Sequence, residues 1–395
     1  MISKSSFSRR AMLLVLHPVF ALTGAGCAIT GALLPSLART FALTDSQSGL
    51  FVFAVYAGMA SGALLCRGNY ARIIAVGFAA LAATSLGMAF AVRPLLIPIA
   101  FLYGASVSTP MTATSLFVGR NYPGSRAATL TALNFTWSVG AMAAPLFAAR
   151  VLTLFGWRAV YEFLAGGALV AAVAAALSLR DQEETPRETP ETTGFRNVRL
   201  IALFAVFFFL VVGMESTAGA WISTYILRST ATTVALAAAA SSIYWGGFLA
   251  SRGLAPLALL RLRPQRMLLA AIVTALGASA LLVLCRSAVP LLGAVLLLGL
   301  SLAPIFPLTL AEFFERARMS SDTRFVLAPS AFGGAVFPWL VGVVSSRTTS
   351  LRMGLVIMPA ALLVMAAMLP LLAVSRAEPA DEKSPGAAAP GDLPV

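Results

Sequence analysis

From Ala11 to about Val374 the chain repeats one unit, an apolar run closed by a short joint that carries arginine. Each run is about 20 residues or longer, enough for a helix to cross a hydrocarbon core ~30 Å thick. The runs fall near 11–36, 46–66, 72–92, 94–118, 127–154, 158–179, 199–227, 232–258, 265–285, 288–314, 323–346 and 350–374. No polar stretch between them is long enough to fold outside a membrane. The chain therefore reads as an all-α integral membrane protein with twelve transmembrane helices. Composition agrees: 59% of the 395 residues are hydrophobic and 11% charged, where a soluble domain carries roughly 25% charged residues.

The net charge of +13 does not indicate nucleic acid, because the 28 basic residues are scattered along the chain and form no basic face. Their distribution reports topology instead. Alternate joints receive them unequally, 20 on one side, Arg67 and Arg252 among them, against 8 on the other. The richer side is expected to be cytoplasmic, which puts both termini there, in the cell's inner (plasma) membrane. An even number of spans is required for that.

Cys27, Cys66 and Cys285 lie in or beside apolar runs with no paired spacing, so neither a disulfide framework nor a zinc site is expected. Lys4, Arg9 and Arg10 ahead of an apolar stretch imitate a signal peptide. The run continues to Leu34, however, and the position three before Cys27 is Gly24, so the segment reads as the first span.

Residues 180–198 are rich in Glu, Thr and Pro and read as a cytoplasmic linker. They divide the chain into an N-terminal six-helix bundle, 1–179, and a C-terminal one, 199–375, with a disordered cytoplasmic tail over 376–395. The halves repeat. Tyr56-Ala57-Gly58 is answered by Tyr244-Trp245-Gly246, Gly104 and Pro110 by Gly299 and Pro304, and Gly140 and Pro145 by Gly333 and Pro338. The offset stays near 190 throughout. Two parallel six-helix repeats are a plan of secondary transporters, with the substrate site between the halves near the midplane.

On these motifs the sequence resembles the major facilitator superfamily over nearly its whole length. Several local patterns are similar to its fucose-permease and sugar-type branch: Leu33-Leu34-Pro35-Ser36-Leu37 leaving the first span, Leu133-Asn134-Phe135 with Gly140 and Pro145 in the fifth, Gly156-Trp157-Arg158 before the sixth, Gly213-Met214-Glu215 with Trp221 and Tyr225 in the seventh, and Tyr244-Trp245-Gly246-Gly247 with Arg252 in the eighth. The resemblance implies alternating access and a small polar solute, sugar-like in character. It also exposes departures. The second joint keeps Arg67 without the family's acidic neighbour, and Gly31 and Thr109 stand where fucose-type symporters carry carboxylates. Proton symport and facilitated diffusion both stay open.

Glu215 is the most informative residue. At ~1.5 Å per residue from Arg199 it lies ~24 Å into its span, past the centre. An acid there either faces a wet cavity, accepting hydrogen bonds from sugar hydroxyls or carrying a proton, or is a protonated structural group. Asn134 and Trp137 share a helical face that reads as cavity wall or as interhelical polar packing. Tyr244 and Trp245 sit mid-span, where aromatic rings can stack on a pyranose or simply pack, and Tyr56 inherits the argument as the repeat mate of Tyr244. Trp221 and Tyr225 read as interfacial belt residues or an outer gate, Arg67 and Arg252 as gating or topology residues. His17, the only histidine, reads as structural, satisfying backbone groups freed at Pro18.

One histidine, no metal spacing and no Gly-rich phosphate loop leave little from which to build an enzyme, and no cofactor is expected. A monomer with a small-molecule substrate and membrane lipid as its partners is the expectation, with protons as a further partner in the symport reading alone. Efflux of amphipathic compounds is the alternative transport reading, and a channel or integral-membrane enzyme the more distant ones.

Overall fold

A computed structural model of the protein describes residues 4–122, 125–179, 198–317 and 323–374. They are helical apart from turns and joints, in the order α1 (Lys4–Thr40), α2 (Asp45–Leu64), α3 (Tyr70–Ala89), a 3-10 turn (Arg93–Leu95), α4 (Leu96–Asn121), α5 (Arg126–Leu154), α6 (Trp157–Ser178), α7 (Val198–Ser229), α8 (Val234–Leu259), α9 (Pro264–Leu284), α10 (Ala288–Leu302), α11 (Ile305–Ala317), α12 (Thr323–Thr348), α13 (Leu351–Leu355) and α14 (Ile357–Val374). Twelve segments are long and apolar enough to cross a membrane, so the expected count of spans holds. Two of them are not single helices. The tenth breaks at Ala303-Pro304 between α10 and α11, and the last is interrupted at Val356 between α13 and α14. Most of linker 180–198 and all of tail 376–395 lie outside the described residues; Val198 already opens α7.

The helix starts follow from local chemistry. Thr44 accepts from the Gln47 amide while the Gln47 side chain accepts from the Thr44 amide, closing a capping box ahead of α2. Asn69 caps α3 and Thr233 caps α8 in the same sense. Gly156 turns the chain into α6 with φ of +85°, a left-handed conformation that favours glycine.

The internal repeat is visible as repeated backbone contact. A Cβ at Gly140 of α5 would lie 1.9 Å from the Ala21 carbonyl oxygen of α1, and one at Gly333 of α12 would lie 1.9 Å from that of Phe209 in α7. Gly104 of α4 presses likewise on Val55 of α2, and Gly299 of α10 on Tyr244 of α8. Without a hydrophobic driving force between helices in lipid, close approach at small residues is what holds such bundles together. The glycine spacing that marked the repeat in the sequence is thus the spacing of two pairs of equivalent helix crossings.

Between the halves, α2 packs on α12, α5 on α8 and α1 on α7. The start of α1, the end of α14 and the joint between α2 and α3 lie at one end of the bundle, called the terminal face below. The joints that follow α1 and α7 lie at the opposite, far face.

Candidate functional site

Glu215 of α7 stands where elements of both halves meet. Its carboxyl Oε1 is buried and has no hydrogen-bond partner. The same is true of the indole Nε1 of Trp137 on α5 and of Trp245 on α8. Buried polar atoms in folded proteins are nearly always paired, and of the thirteen unpaired ones among the described residues these three are the ones that are not hydroxyls of Ser, Thr or Tyr. The two indoles meet edge to face with ring centroids 5.5 Å apart, one from each half. Gly219, one turn beyond Glu215, makes room for this arrangement: a Cβ there would lie 3.1 Å from Cζ2 of Trp245.

Tyr244 donates its hydroxyl to the main-chain oxygen of Glu215 at 3.2 Å and packs its ring on Trp245 at 4.9 Å. Its hydroxyl is therefore engaged by the protein, and its place is to hold α7 and α8 in register behind the acid. Tyr56 of α2 and Cys27 of α1 lie near each other and within electrostatic range of Glu215. The structure thus brings together Glu215, Trp137, Tyr244, Trp245 and Tyr56. Asn134 stands apart. Its side-chain amide donates to Leu130 of its own helix at 2.9 Å, and it is exposed.

Arg252 lies in the body of α8, within the span 232–258 expected for it, partly buried, and reaches across to the other half. Its Nη1 donates to Ser138 Oγ at 2.9 Å and to the Asn134 main-chain oxygen at 3.1 Å. Its guanidinium carbon lies 4.5 Å from the ring centroid of Phe248 and 5.5 Å from that of Trp137. It is also within electrostatic range of Glu215, although the ion pair formed among the described residues is a different one. Arg67 is exposed in its joint, away from the cluster.

That ion pair ties the halves together at the far face. Arg228, at the end of α7, grips both carboxylate oxygens of Asp45, at the start of α2, at 2.6 and 2.7 Å. Ser345 of α12 donates to the same carboxylate, and the Ser46 amide donates to Ser346 Oγ at 2.7 Å. Nothing local marks these residues in the sequence, because each lies alone at the end of a span.

Trp221 and Tyr225 are not belt residues. Both are buried, Trp221 donating to the Pro338 carbonyl and Tyr225 to that of Leu282, each at 2.9 Å. The structural reading of His17 stands with a different partner: its Nδ1 meets Thr136 Oγ1 at 2.8 Å. No group of metal-ligating residues exists among the described residues. Two apolar grooves lie elsewhere, one among Pro18, Leu22, Phe147 and Phe163, the other among Phe204, Leu268, Thr309 and Leu369.

Residues 16–323 match the family model of the Major Facilitator Superfamily. The chain belongs to that superfamily, and is a secondary transporter rather than an enzyme. Among curated proteins it is similar to the glucose/mannose transporter GlcP of Bacillus subtilis (strain 168), with 24% identity over 363 residues, 85% of this chain and 88% of the relative. It is also similar to the human sodium-dependent glucose transporter 1, 29% identical over 173 residues, which is 43% of this chain and 33% of that protein. Solved structures of the same fold include an inward-facing bacterial homolog of the human lysosomal transporter Spinster, with a TM-score of 0.70 at 17% identity, covering 94% of this chain and 98% of that one. The transporter FucP in its outward conformation matches with a TM-score of 0.62 at 17% identity, over 92% and 99% of the two chains.

Proposed function

We propose that the protein carries a hexose of the glucose type across the plasma membrane, inward, by alternating access around Glu215, Trp137 and Trp245. The observation that carries this reading is the set of three orphaned polar atoms. Two indole N–H groups can only donate, whereas an ionised carboxylate only accepts. A ligand that satisfies all three must offer both acceptors and donors on one small body, and a sugar hydroxyl is both. The aromatic walls supply faces for the C–H side of a pyranose. Likeness to glucose transporters supports the same class of solute.

In this reading the two six-helix halves rock about the site, with residues 180–198 as the tether between them. The excess of basic residues on the terminal face supports cytoplasmic termini. The Asp45–Arg228 pair then closes the outer end. Tyr244 holds Glu215 in place, Tyr56 lines the N-terminal side, and Asn134 acts through its main chain. Glu215 is the proposed proton-coupling group, since Gly31 and Thr109 offer no alternative acid on α1 or α4. Each chain works as a monomer, because the site draws on one chain's two halves alone.

Thermal unfolding of the detergent-purified protein across a panel of hexoses, polyols and amphipathic amines tests the solute class. A ligand at a hundred times its Kd adds about 2.7 kcal/mol of stability. A shift with glucose or mannose that Glu215→Gln abolishes is the expected result. Shifts with the amines alone would move the assignment to efflux.

A further inference from the structure

Arg252 carries a charge inside a membrane span, an expensive placement that calls for specific partners. Both of its hydrogen-bond acceptors, Ser138 Oγ and the Asn134 carbonyl, belong to the other half of the protein. So does the Trp137 ring beside its guanidinium. When α5 and α8 separate at the terminal face, Arg252 must release all three. The carboxylate then within electrostatic reach is Glu215, on its own half and with an oxygen still unbonded.

We infer that Arg252 is a positioning residue that links occupancy of the site to closure of the terminal face. While a ligand engages Glu215, Arg252 stays on α5 and holds Trp137 against Trp245. When the ligand leaves, Glu215 competes with α5 for Arg252, so that the terminal face is held closed for only part of the time. The planar guanidinium suits this exchange because it stacks on rings and donates in a fork, which a lysine ammonium cannot reproduce. The inference rests on the proposed hexose site for its ligand-linked part and on Arg252 geometry alone for the rest.

The test places spin labels at positions 128 and 260, exposed residues of α5 and of the turn after α8 on the terminal face, in full-length protein whose Cys27, Cys66 and Cys285 are replaced by alanine or serine. Distances are measured by pulsed electron resonance with and without D-glucose, alongside glucose KM and turnover in proteoliposomes. Glucose is expected to shorten the distribution in the parent protein. Arg252→Gln lengthens it in the absence of sugar, removes the glucose response and raises KM about tenfold with turnover changed less. Arg252→Lys restores only part of the response. Ser138→Ala, which keeps the charge and the fold, gives a smaller lengthening. Distances and KM unchanged in Arg252→Gln and Ser138→Ala would overturn the inference. If the parent protein ignores glucose while Arg252→Gln still lengthens the sugar-free distance, the hexose reading fails and the positioning role of Arg252 stands.

Discussion

Gly31 and Gly219, 188 residues apart and equivalent in the two halves, touch each other where α1 crosses α7. A Cβ on Gly31 would lie 1.8 Å from the Gly219 carbonyl oxygen. The resemblance to fucose-type symporters matches Gly31 to a position where they carry an acid, and here that side of α1 is closed by backbone. The departure is therefore built into the packing of the two halves, and a carboxylate cannot simply be restored.

Gly31→Asp is accordingly expected to lower thermal stability and to abolish transport without creating a coupling site. Overpacking of a tight crossing costs about 1–3 kcal/mol, and the buried acid adds to it. Unfolding temperature and uptake, measured together against Gly31→Ala, check this. A well-folded Asp variant with faster or more pH-sensitive uptake would show that the crossing yields.

Ser46 and Ser346 should form a disulfide when both are changed to cysteine, since the Ser46 amide already bonds the Ser346 hydroxyl across the halves. Oxidation of the double variant is expected to stop transport, and a reductant to restore it. Charge reversal of the neighbouring pair, Asp45→Arg with Arg228→Asp, should recover part of what either single change loses. Breaking an exposed pair is worth only ~0–1 kcal/mol, so the single variants slow transport several-fold rather than abolish it.

Two tryptophans of the C-terminal half should respond in different ways to Phe. Trp221→Phe removes the hydrogen bond to Pro338, whose carbonyl keeps its bond within α12, a loss of about 0.5–1.5 kcal/mol of stability beyond that of the volume removed, with little change in sugar KM. Trp245→Phe removes an N–H that has no partner in the protein, so only the lost volume costs stability and the loss is the smaller of the two, while KM for glucose rises about tenfold. Chemical unfolding and uptake kinetics on both variants give the comparison; equal behaviour would show that the Trp245 nitrogen is not a ligand-binding group.

An imposed inward proton gradient is expected to drive accumulation of sugar above equilibrium in the parent protein and not in Glu215→Gln. Accumulation by both would place the coupling group elsewhere, and accumulation by neither would make the protein a facilitator.

Much of the architecture was legible in the sequence, because membrane helices advertise themselves by length and hydropathy and because helix crossings require small residues at fixed spacing. Gly140 and Gly333 were readable as repeat mates for that reason. Glu215 was legible as a lone acid deep in a span. What escaped was pairing across distance. Arg252 sits seven residues from the end of α8 on the basic side of the membrane, so it was indistinguishable from a topology signal. Asp45 and Arg228, 183 residues apart, each looked like an ordinary span-end charge. Trp221 occupies a position suited to an interfacial belt, and its burial and its bond to the Pro338 carbonyl show it to be internal.

The most direct test of the central claim is counterflow of labelled D-glucose into proteoliposomes preloaded with unlabelled sugar, comparing the parent protein with Glu215→Gln and with the Trp137→Phe, Trp245→Phe pair. Site occupancy by a hexose predicts robust exchange by the parent and at least a tenfold loss in both variants, with normal folding of each. Exchange in both variants at the parent rate would contradict it.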